Sequence, residues 1–121
     1  MFRRSFLTAA LAAAWQGALA APPAHELSRI ERLIQFVEHH KEMTFIRNGT
    51  EHSSADAGKF LRGKLESVGH DARTAREFID QIASKSSMSG EPYQIKFADG
   101  RTMLASQFLG DELTRLEAQP A

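Results

Sequence analysis

Met43-Thr-Phe-Ile-Arg-Asn-Gly-Thr-Glu-His-Ser-Ser54 is the stretch on which the reading of this chain turns. Asn48-Gly49 suits a two-residue hairpin turn, because Gly has no Cβ and Asn tolerates the left-handed backbone that such a turn demands. Thr44–Arg47 and Thr50–His52 then become the two strands of a hairpin. Ser53 and Ser54, followed by Asp56, carry the side chains that accept hydrogen bonds from the free N–H groups of a helix start. The stretch therefore predicts a hairpin that runs straight into a helix N-cap. It also gathers Arg47, Asn48, His52, Ser53 and Ser54, which makes it the first place to look for a site.

Outward from this stretch, Ser28-Arg-Ile-Glu31 fits a capping box, and Ile30, Leu33, Ile34 and Val37 follow at helical spacing. A first helix is predicted from there to about His40, with His39, His40 and Lys41 meeting the partial negative charge of its C-terminus. Ala55–Val68 forms a second helix with a buried stripe of Phe60, Leu61, Leu65 and Val68, and Gly69 is its stop. Thr74-Ala-Arg-Glu77 is another capping box, opening a helix that buries Phe78, Ile79, Ile82 and Ala83. After the polar loop Ser84–Pro92, the residues Tyr93, Ile95 and Phe97 alternate with polar or small ones, the period of a half-buried strand. Asp99-Gly100 is a second tight turn into Arg101–Leu104, and Ser106 caps a final helix carrying Phe108, Leu109, Leu113 and Leu116.

The expected fold is a small single α+β domain over residues 28–118. Its order is α-β-β-α-α-β-β-α, with two antiparallel hairpins packed with four helices and able to share one sheet. Residues 28–68 and 74–116 repeat the same αββα order, each around an Asn/Asp-Gly turn, which either an internal duplication or chance would produce.

Residues 1–20 read as a secretory signal peptide: Arg3-Arg4, an apolar run over 6–14, and Ala18-Leu-Ala20 as a small-x-small cleavage site. Arg3-Arg4-Ser-Phe-Leu7 also resembles a twin-arginine export pattern. Residues 21–27 would be a flexible start to the mature chain. No Cys is present, so no disulfide staples the fold and no lipidated Cys follows the signal. Loss of Arg3 and Arg4 leaves 13 basic against 15 acidic residues, a net charge of −2, which argues against general binding to nucleic acid or anionic membrane. The apolar run is too short to span a bilayer, and membrane insertion of the mature chain is not expected.

Phe45-Ile-Arg-Asn-Gly49, together with Thr74-Ala…Phe78-Ile…Ile82-Ala-Ser-Lys-Ser-Ser-x-Ser-Gly-x-Pro-Tyr93…Asp99-Gly100, resembles the YfeK-like family of small exported bacterial proteins. Matching positions are Arg47, Asn48, Gly49, Lys64, Ser84, Lys85, Ser86, Ser87, Ser89, Gly90 and Tyr93, while the family pattern has Tyr at His52 and His at Phe60. The resemblance implies an exported, periplasmic single domain and brings no reaction or cofactor with it. The two departures count against a role for His52 or Phe60.

Two chemistries compete for these residues. Ser84, Lys85 and Ser86 could serve a serine-dependent hydrolase or transferase acting on envelope material, but the loop leaves the C-terminal end of a helix, where outward carbonyls repel an oxyanion. A binding surface of Arg47, Asn48, Ser53, Lys85, Ser86 and Tyr93 is favoured, with Arg47 and the N-terminus at Ser53 holding a carboxylate or phosphate. The plainer alternative has Ser53 capping the helix and Arg47 pairing with Glu51. His39, His40, His52 and His70 lack metal-ligand spacing, and no cofactor is implied. The expectation is a non-catalytic periplasmic module for an envelope protein or a small anionic ligand.

Overall fold

The computed structural model describes residues 23–68 and 72–119. The expected signal peptide, the stop at Gly69 and His70 lie outside the described residues. Helix α1 spans Ala24–His39, strands β1 and β2 span Thr44–Arg47 and Thr50–Ser53, and helix α2 spans Ser54–Val68. Helix α3, Ala75–Phe78, continues into a π-helical turn over Ile79–Ala83. Strands β3 and β4 are Gln94–Lys96 and Thr102–Leu104, and α4 is Ala105–Glu117. The α-β-β-α-α-β-β-α order is the one expected.

The two hairpins do share a sheet. Its strand order is β2-β1-β3-β4, every pair antiparallel, with Phe45 opposite Ile95 at the central junction. Both hairpins feed a helix without an intervening loop, β2 into α2 and β4 into α4. Asn48 (φ 51°) and Gly49 (φ 77°) make the predicted left-handed turn. At the second hairpin only Gly100 is left-handed (φ 90°), and the Phe97 and Arg101 backbones close a longer loop. Asp99 accepts from the Arg101 N–H instead of adopting a positive φ itself.

One face of the sheet packs on the helices. Phe45 and Ile95 meet Leu33, Ile34 and Val37 of α1, Leu61 of α2, Phe78, Ile79 and Ile82, and Leu109 and Leu113 of α4 in one core. The other face keeps polar company, with Lys96 paired to Glu51 across the central strand. Helix α1 lies along α2, where Arg62 donates to both oxygens of Glu31 (2.7 Å each) and to Glu38 (3.2 Å).

Several local expectations give way to tertiary contacts. Helix α1 begins at Ala24, inside the stretch expected to be flexible, so Ser28 is an interior residue and no capping box forms there. Glu31 turns to Arg62 instead of capping, and Glu26 reaches across to accept from the Ala75 N–H at the start of α3. Thr74 does cap α3, accepting from Glu77, while Glu77 accepts from the Arg73 N–H. Helix α4 starts at Ala105, so Ser106 lies inside it, and Leu104 at the cap offers no side-chain bond. On α2 the buried positions are Ser54, Ala57, Gly58, Leu61 and Lys64. Val68 is 54% exposed, and Phe60 and Leu65 only border the core. Stripe and structure differ because the helix turns Lys64 inward to satisfy groups that no apolar side chain could.

Candidate functional site

Strand alternation sets the site's framework. Phe45 and Arg47 share a face of β1, and the next step of the β1–β3 register places Tyr93 beside Arg47. Helix α2 leaves the far end of the hairpin and runs back along it, bringing Phe60 and Lys64 to the end that carries the turn. There the Arg47 guanidinium lies 4.0 Å from the centre of the Phe60 ring, and Phe60 meets Tyr93 edge to face at 5.7 Å. Phe60 is thus the platform for Arg47, although the family pattern counted against it.

Lys64 sits behind this platform, 9% exposed. Its Nζ donates to Tyr93 Oη (2.9 Å) and to the backbone carbonyl of Lys85 (2.8 Å). Burial, and then the positive charge of Arg47, hold its ammonium below the ordinary lysine range. Burial pushes the Tyr93 phenol up, with Arg47 acting in the opposite sense. Both partners of Lys64 are neutral. Elsewhere in the fold Arg29, Arg62, Lys96, Arg101 and Arg115 each hold a carboxylate. Among the described residues, Arg47 and Lys64 hold none.

The Ser84–Pro92 loop closes over this corner. Lys85 bridges to Pro92, and Ser86 Oγ accepts from the N–H groups of Met88 and Ser89 (3.2 Å each). Ser89 then donates to Asn48 Oδ1 at 2.6 Å, fastening the loop to the hairpin turn. Of the six expected binding residues, Arg47, Asn48, Lys85, Ser86 and Tyr93 are therefore brought to one end of the fold. Ser53 is not. It pairs with Thr44, three steps from Arg47, or about 10 Å along the strand, and its Oγ caps α2 at Asp56. The helix N-terminus and Arg47 cannot share one small anion.

Arg47 does not pair with Glu51 either. Strand alternation puts them on opposite faces, and Glu51 meets Lys96 instead. Ser84 and Ser86 are also engaged: Ser84 donates to the Asp80 carbonyl, and Ser86 is 6% exposed and orders its own loop. Lys64 is the residue that the site reading missed, even though it matched the family pattern. Its signal was a lysine at i+3 from Leu61, on the apolar side of a helix.

Fold and site together define a small α+β domain with a cationic, aromatic-floored corner in which, among the described residues, neither Arg47 nor Lys64 is in an ion pair. The chain belongs to the Family of unknown function (DUF5329), whose model matches residues 24–117. It is similar to the Uncharacterized protein YfeK of Salmonella typhimurium, 41% identical over 70 residues, an alignment that covers 58% of each chain. No solved structure matches. Among the described residues, no helix is long and apolar enough to cross a membrane.

Proposed function

We propose that the chain is an exported, non-catalytic binding module of the periplasm that takes an anionic group of an envelope component at the Arg47 corner. The observation that carries this is the pair Arg47 and Lys64, two neighbouring cations on an aromatic floor, neither of them in an ion pair among the described residues. A guanidinium whose planar donors are not taken up by protein acids suits a carboxylate or phosphate. Asn48, Lys85 and the Ser84–Pro92 loop border the same corner and supply further donors. The leader-like residues 1–20 support export. The serine-dependent alternative draws no contact to its aid, since Ser86 Oγ is an acceptor for two amides and Ser84 serves a helix carbonyl.

Thermal unfolding in the presence of inorganic phosphate tests the reading. At about 100 times Kd the native state gains roughly 2.7 kcal/mol, a gain that Arg47→Ala removes. Phosphate also stabilises proteins in general by exclusion from their surfaces. An equal gain in wild type and Arg47→Ala would be that general effect and would overturn the proposal.

A further inference from the structure

Away from the Arg47 corner, the C-terminal halves of α1 and α4 leave an open groove of about 300 Å³ between them. Its apolar surface comes from Phe36 and Leu116, and its polar surface includes Arg32, Glu112 and Arg115. Phe36 is braced from behind, with its ring 4.9 Å from that of Phe108 and 4.3 Å from His40. The volume is at the lower end for small-molecule sites, and the lining is more polar than is usual for them, with Phe36 and Leu116 as its apolar part.

The charges in the groove are arranged in an uncommon way. Glu112 stands on the buried side of α4 among Phe108, Leu109, Leu113 and Leu116, and is only 7% exposed. A carboxylate there is costly unless it is paired. Its two oxygens accept from Arg115 Nε and Nη2 at 2.8 and 2.5 Å, a fork that fixes the guanidinium at the groove while leaving Nη1 unused by this pair. Arg32 enters the same groove and is in no ion pair among the described residues. With Glu112 balanced by Arg115, the groove keeps one uncompensated positive charge beside an aromatic and aliphatic floor.

We propose that this groove binds a small amphiphilic carboxylate, its carboxylate between Arg32 and Arg115 and its apolar body on Phe36 and Leu116. The site shares no residue with the Arg47 corner and does not depend on it. Glu112 fixes the Arg115 guanidinium at the groove and offsets its charge.

Titration of the ¹⁵N-labelled full chain with octanoate tests the assignment, with octanamide as the uncharged counterpart. Octanoate is expected to shift amides of residues 32–39 and 112–116 saturably. Arg32→Gln should weaken it by up to about fivefold, the upper range for a solvent-facing charge contact. Arg47→Ala should leave it unchanged. Glu112→Gln, which removes a negative charge from the groove and frees Arg115, should tighten octanoate while leaving octanamide unchanged, a difference that simple loosening of the helix pair would not produce. Equal affinity for octanoate and octanamide, unsaturable shifts, or full octanoate affinity in Arg32→Gln would each overturn it.

Discussion

Lys64 occupies a position on α2 where an apolar residue would ordinarily sit, and its surroundings dictate how it titrates. Burial and Arg47 hold its ammonium below the usual 10.5. The folded chain therefore releases this proton before the unfolded chain does, and stability rises with pH from the lowered folded value up to 10.5. Tyr93 opposes it. Burial raises its phenol above 10.0, so the stability it contributes is complete below 10.0 and is lost as pH rises through the folded value. Lys64→Met should remove the alkaline gain and Tyr93→Phe the alkaline loss, read from urea midpoints across the alkaline range. Profiles parallel to wild type would contradict this. At neutral pH, Lys64→Met should also cost about 1–3 kcal/mol by stranding Tyr93 Oη and the Lys85 carbonyl. The residue type was visible in the sequence, but its partners lie 21 and 29 positions away and no local rule finds them.

Among the elements, the α1–α2 pair depends on one glycine. A Cβ at Gly58 would run into Cγ of Glu38 and come within 2.7 Å of its Cδ, and Arg62 holds that same carboxylate. Ala is the better helix former by about 1 kcal/mol, yet overpacking costs roughly 1–3 kcal/mol and here also disturbs the Arg62 clamp. Gly58→Ala should therefore destabilise the fold, by about 1–2 kcal/mol in urea denaturation. Gly63, one and a half turns on, has open space around its Cβ position. Gly63→Ala should stabilise by about 0.5–1 kcal/mol, since only the helical preference acts. Stabilisation by both variants would show that Glu38 yields freely. The helix ends tell a related story. Thr74 and Ser53 cap as their sequence patterns predict, whereas Ser28, in an equally good box, and Ser106 lie inside helices. A cap motif states a preference worth about 1 kcal/mol, which extra turns with core contacts readily exceed.

For the whole molecule, the β1–β3 seam joins the two αββα halves, and Phe45 opposite Ile95 is its buried centre. Neither half closes a core alone, because α1, α2, α3 and α4 all contribute to the cluster under the seam. Ile95→Ala should lower stability by about 2–5 kcal/mol while unfolding remains a single transition. Coincident near- and far-UV circular dichroism curves would support this, and two separated transitions would show that the halves fold independently.

By itself, the sequence determined the elements and their order. The Asn48-Gly49 turn, the alternation of Tyr93 and Ile95, and the apolar stripe of α4 follow from φ preferences and side-chain periods, which act within a few residues. Only the tertiary structure decided which elements meet. It joined the hairpins through β1 and β3, turned Lys64 toward Tyr93, set Arg62 between two glutamates, and separated Ser53 from Arg47. Those contacts are selected together, as the one arrangement that buries the shared core while leaving its polar groups bonded. No single stretch of the chain carries enough free energy to specify such an arrangement alone.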